Sequence, residues 1–194
     1  KLSQTDETGR DGLEFWFWSF LFYSFLGFLF EVAFARLTRN PKRDRKCRLL
    51  LPLCPVYGLG ACGLLLLPEG VQERPVLLFV CAAALCTAVE YAVGLFYEKA
   101  LGVPFWDYRA LPLNLGGKVC LPFSLLWGGM TVLLAPLLQP FGMGLAQSAP
   151  HWLAAPAAAL FLVDSGLTFY LLRTTRRTDS LRWYDRFFPA LRQT

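Results

Sequence analysis

Apolar residues gather in five long stretches, at 13–35, 49–67, 76–97, 119–138 and 152–172, with short polar or basic segments between them. A helix needs about 20 residues to cross about 30 Å of hydrocarbon, and each stretch comes close to that length. None alternates with period two, so the pattern predicts helices rather than barrel strands. No repeat or linker interrupts the chain, and 1–194 reads as a single polytopic domain. The predicted fold is an all-α membrane protein, a bundle of five transmembrane helices.

Composition agrees. Of 194 residues, 55% are hydrophobic and 17% are charged, against about 45–50% and about 25% in soluble domains. This excludes a disordered chain, a coiled coil and an ordinary cytosolic enzyme. The six cysteines form no CxxC pair, and His151 is the single histidine, so no zinc site and no metal is expected. The thiols read as small residues in helix interfaces. Acids at Asp6, Glu7, Asp11 and Glu14 stand where a signal peptide would be basic, so none is expected.

The net charge of +5 raises the question of nucleic acid, but the bases sort by side. Sixteen of the 19 follow the first, third and fifth stretches, including seven within 36–48. That asymmetry predicts an outside N-terminus and a cytoplasmic C-terminus. Orientation and anionic lipid account for the basic loop, and no nucleic-acid partner is expected. In the tail, Leu181, Tyr184, Phe187, Phe188 and Leu191 recur at helical spacing from Asp179 to Arg192. They predict an amphipathic helix on the inner leaflet.

Three carboxylates interrupt the apolar stretches: Glu31, Glu90 and Asp164. Each costs about 2.5–3.5 kcal/mol at the centre of a bilayer. At 1.5 Å per residue, all three lie within about 12 Å of the inner end of their helices. Small and polar residues share their faces: Ser24 and Gly27 with Glu31, Thr87 and Gly94 with Glu90, Thr168 with Asp164. Tyr57 in the second stretch and Ser124 in the fourth enter at the same depth. The pattern predicts a polar layer in the cytoplasmic half of the bundle. The competing reading is structural, with each acid only joining two helices.

The segment 101–124 is too apolar for a solvated loop. Pro104, Pro112, Pro122 and Gly116-Gly117 prevent one continuous helix. A re-entrant or interfacial element is expected, with Trp106, Asp107, Tyr108, Arg109, Asn114 and Lys118 over the cytoplasmic mouth.

Several short pieces occur together in order: Tyr23-Ser24-Phe25-Leu26-Gly27 with Glu31, Pro55-Val56-Tyr57-Gly58, Glu90-Tyr91, Trp106-Asp107-Tyr108, and Asn114-Leu115-Gly116-Gly117 with Cys120-Leu121. In these the chain resembles the CmpB-like bacterial membrane family of predicted ABC-transporter type IV permeases. It departs where an Arg-Gly start and a Gly-Pro pair would precede the second helix, having Lys46-Cys47-Arg48 and Leu51-Pro52 instead. The resemblance implies a multi-pass protein of the bacterial inner membrane. It also implies a separate cytoplasmic ATPase subunit, since this chain has no Walker A motif.

The leading expectation is a transporter or permease component. Glu31, Glu90 and Asp164 would bind a polar or cationic solute or relay protons, with Tyr57, Ser24 and Asn114 orienting it. Trp106, Asp107 and Tyr108 would gate the site or dock a partner. An intramembrane enzyme acting on a lipid or isoprenoid is the first alternative, although no nucleophile stands beside the lone histidine. An accessory scaffold is the second. No cofactor is expected.

Overall fold

The computed structural model describes residues 2–38 and 46–182, with side chains from residue 12 onward. Within these the chain is mostly helical, with one small hairpin and irregular segments at 46–54 and 102–113. Helix α1 runs Leu2–Leu37, α2 Pro55–Leu65, α3 Glu69–Gln72, α4 Pro75–Phe96, α5 Leu121–Ser148 and α6 His151–Thr175. A π turn, Tyr97–Leu101, prolongs α4 until Gly102 stops it at φ +70°. A 3-10 turn, Thr178–Leu181, follows α6. Proline opens the first turn of α2, α4 and α5, where its missing N–H costs nothing.

Four helices are long and apolar enough to cross a membrane: α1 from Gly12, α4 with its π turn, α5 and α6. The second expected span, 49–67, is different. Only Pro55–Leu65 is helical, 11 residues or about 17 Å of rise. Residues 46–54 approach it as irregular chain, because Pro52 and Pro55 both lack the N–H that a continuous helix would use. The expected outer loop at 139–151 is also different. α5 continues through Pro136 and Pro140 to Ser148, leaving only Ala149 and Pro150 before α6. The expected amphipathic tail helix lies mostly at 183–194, outside the described residues, as does 39–45 of the basic loop.

Helices α1, α2, α4 and α5 close a ring, each packing on the next and α5 returning to α1. Glycines permit the close approaches. A Cβ on Gly27 would lie 2.2 Å from the Tyr57 ring, and one on Gly58 would lie 2.6 Å from the Phe20 carbonyl. Helix α6 stands outside the ring, with Phe161 edge-on to Phe20 of α1 at 5.5 Å. The Glu14–His151 pair at 2.7 Å marks one end of the bundle. Arg173, which donates to the Ala100 carbonyl, marks the other.

Residues 46–54 run from the Arg173 end to mid-height, where Cys54 N–H donates to the Ser24 carbonyl at 2.9 Å. Irregular backbone at this depth needs internal partners, and α6 provides them. Leu49 N–H donates to Thr168 Oγ1 at 3.0 Å and Leu50 N–H to Asp164 Oδ1 at 2.7 Å. Arg48 Nε donates to Asp164 Oδ2 at 2.7 Å, and its Nη2 reaches the Phe161 carbonyl at 3.0 Å and Ser165 Oγ. Arg48 is 3% exposed and Asp164 is fully buried. The guanidinium also lies 4.3 Å over the Phe161 ring.

Breaking a buried pair by removing one partner strands the other charge. Arg48→Ala and Asp164→Ala should each destabilise the protein by about 3–5 kcal/mol, read by thermal unfolding in detergent. Arg48→Met with Asp164→Leu should recover only part of this, because Leu50 N–H still loses its acceptor. Full recovery would show that the backbone bond contributes nothing.

Candidate functional site

The ring of four helices encloses a cavity of about 490 Å³. Its walls reach from Lys46, Asp179 and Arg182 near the Arg173 end to Gln72, Glu73 and Gln139 toward the Glu14 end. Across the far end, Gln139 Nε2 donates to Gln72 Oε1 at 3.0 Å. Glu31 of α1 and Glu90 of α4 line the middle.

Each of these carboxylates takes hydrogen bonds from aromatic side chains. Tyr57, in the first turn of α2, donates its hydroxyl to Glu31 Oε1 at 2.8 Å. Pro55 begins α2 at this level, and Gly27 leaves room for the Tyr57 ring against α1. Glu90 is 6% exposed. Its Oε1 accepts from Tyr108 Oη at 2.9 Å and its Oε2 from Trp127 Nε1 at 3.1 Å. The Tyr57 and Trp127 rings meet edge to face at 5.4 Å, linking the two acids through one aromatic contact.

The 101–124 segment delivers Tyr108. It folds back on the bundle as a hairpin of β1 (Asn114–Leu115) and β2 (Val119–Cys120), paired antiparallel. Gly116 and Gly117 both hold positive φ, and Lys118 N–H closes the turn on the Leu115 carbonyl at 3.2 Å. Tyr108 N–H donates to the Gly117 carbonyl at 2.8 Å, and Trp106 Nε1 to the Lys118 carbonyl at 2.7 Å. The Tyr108 ring stacks on Phe123 at 4.7 Å. Burial first, and then the Glu90 charge, push the Tyr108 phenol well above its ordinary 10.0. It therefore stays a hydrogen-bond donor across the physiological range.

The expected site residues divide. Glu31, Glu90, Tyr57, Trp106 and Tyr108 share the cavity wall. Asp164 is not among its lining residues, and both of its oxygens are taken by Arg48 and Leu50. Ser24 is fully buried against Gly58, and its hydroxyl finds no hydrogen-bond partner among the described residues. Asn114 is exposed and pins the hairpin, donating to the Leu111 carbonyl at 2.9 Å and accepting from Gly117 N–H at 3.3 Å. Asp107 is exposed, accepts from Arg109 N–H at 2.9 Å and faces Arg109 Nε at 3.8 Å. Thr87 and Ser124 bond to each other at 2.7 Å, tying α4 to α5. Cys54 and Cys120 are buried and the other four thiols partly so, and the sulfurs of Cys47 and Cys54 meet in a hydrogen bond at 3.3 Å.

Sequence reasoning passed over Trp127 and the pairing of Arg48. A tryptophan deep inside an apolar stretch, away from the interface where the residue usually sits, was the available signal for the first. Arg48 carried no local signal, since it read as one base among seven.

A double-mutant cycle tests the Glu90 arrangement. Tyr108→Phe and Glu90→Gln should couple by about 1.5–3 kcal/mol, the range for hydrogen bonds to a charged group. The readout is thermal unfolding, and strictly additive effects would place the two groups out of contact.

No curated protein and no solved structure matches the chain. One family does, described as "Putative ABC-transporter type IV", and it covers residues 18–169, from the first cavity-bearing helix to well past Asp164. With most of its length matched, the chain belongs to this CmpB family of ABC-transporter type IV proteins.

Proposed function

We propose that the protein is the membrane-embedded component of a transporter, with its solute path running through the cavity between α1, α2, α4 and α5. The observation that carries this is the cavity's extent. Its lining reaches from residues beside the Arg173 end to Gln72, Glu73 and Gln139 toward the opposite end, with two carboxylates midway. Acids inside membrane helices mark solute or proton pathways. Membership of an ABC-transporter family supports the same role.

In this reading the basic Arg173 end faces the cytoplasm and the N-terminus lies outside, following the distribution of lysine and arginine. Residues 46–54 and α2 together make a fifth crossing, half irregular and half helical. Glu31 and Glu90 bind solute or carry protons, and Tyr57 orients Glu31. The exposed Asp107 and its hairpin offer a docking surface to a separate cytoplasmic ATPase, with Trp106 and Tyr108 linking that surface to the cavity. The membrane would be the bacterial inner membrane.

Two measurements check this. Gentle detergent extraction of the native complex, followed by mass spectrometry, should recover a cytoplasmic ATPase at defined stoichiometry. A chain that purifies alone would overturn the ABC reading. In the reconstituted complex, Glu90→Gln should abolish transport while the variant remains folded, and retained transport would remove Glu90 from the path.

A further inference from the structure

Two carboxylates in the described chain are more than nine-tenths buried, and they are treated differently. Asp164 has its own counter-ion in Arg48 at 2.7 Å. Glu90 forms no ion pair with any lysine, arginine or histidine among the described residues. Its two hydrogen bonds come from neutral donors, Tyr108 and Trp127. An indole N–H donates and cannot accept, so Oε2 serves Trp127 as an acceptor. The arrangement suits a carboxylate anion, whose charge is stabilised by two bonds yet left without a partner of opposite sign. Burying such a charge is costly until a cation arrives.

The surroundings of Glu90 select among cations. The cavity walls near it are aromatic: Tyr57, Trp106, Tyr108 and Trp127 all line the same space. Ring faces attract cations and also pack against apolar substituents. A bare metal ion would gain little from these walls. Beside Glu90 an anion would meet an unpaired negative charge, while the bases of the lining, Lys46 and Arg182, belong to the Arg173 end. A sugar would find few hydrogen-bonding groups along the aromatic walls beside Glu90, since Lys46, Gln72, Gln139 and Arg182 line the two ends. The volume of about 490 Å³ lies in the range of sites that enclose whole small molecules, about 300–1,000 Å³.

We propose that the cavity binds an organic cation with apolar substituents, of the quaternary ammonium or phosphonium class, its charge set against Glu90 and its substituents against the aromatic walls. This names the solute class for the transport role proposed above and rests on that reading only for the direction of movement.

The test uses the whole chain in lipid nanodiscs and two probes of matched shape and opposite charge, tetraphenylphosphonium and tetraphenylborate. Equilibrium dialysis should show saturable phosphonium binding at one per chain and no saturable borate binding, with quenching of tryptophan fluorescence. Glu90→Gln should weaken phosphonium binding at least about tenfold, Trp127→Phe by a smaller factor, and Glu69→Gln, exposed on α3, not at all. Thermal unfolding confirms that each variant is folded. Equal binding of both probes, or unchanged phosphonium affinity in a folded Glu90→Gln, would overturn the proposal. Charge-selective binding without transport in the full complex would leave the ligand class standing and overturn the transport role. Transport by the complex of an anionic or uncharged solute, with no phosphonium binding, would do the reverse.

Discussion

Unpaired peptide groups cannot rest in an apolar interior, and the irregular segment before α2 is built around that constraint. Residues 46–54 run from the Arg173 end to mid-height without a helix of their own to satisfy them. Asp164 and Thr168 accept the N–H groups of Leu49 and Leu50, and the Arg48 side chain neutralises the acid that does so. The ion pair is therefore secondary to the backbone bonds. Asp164 accepts from the Leu50 amide, which α2 would have satisfied internally had it begun eight residues earlier. Because α2 begins only at Pro55, the chain before it winds along the bundle, bringing Lys46, Cys47 and Cys54 to the cavity wall.

The cavity inherits its chemistry from the same geometry. Tyr57 stands in the first turn of α2, so the late start of that helix places a phenol at the level of Glu31. Tyr108 arrives from the opposite side of the chain's path, carried by a hairpin whose two glycines let the backbone fold back under Glu90. Trp127, on a third helix, completes the set. Three separate pieces of chain thus supply neutral donors to two acids, and no base among the described residues joins Glu90. This differs in kind from the Asp164 site, where charge meets charge. Two acids that look alike in sequence have different environments.

Much of the architecture was legible in the sequence because long apolar runs are a local signal. The helices α1, α4, α5 and α6 fall where hydropathy places them. The shortness of α2 was not legible, since apolar residues at 49–54 pack equally well as irregular chain when α6 covers their amides. The three acids were found by their common depth, and depth alone could not separate them. Asp164 is distinguished by Arg48, which lies 116 positions away in sequence. Ser24 and Asn114 illustrate the same limit. Both are polar residues near the right level, yet one fills a helix contact and the other closes a turn.

That separation of 116 residues bears on how the chain is made. When residues 46–65 are first made, the helix that will receive residues 46–54 has not yet been synthesised. Arg48 and the amides of Leu49 and Leu50 must then remain near water or be shielded by another protein. They can settle only after α6 emerges, and the cavity wall formed by 46–54 is completed at that moment. The last helix to be inserted is thus the one that finishes a segment laid down near the beginning.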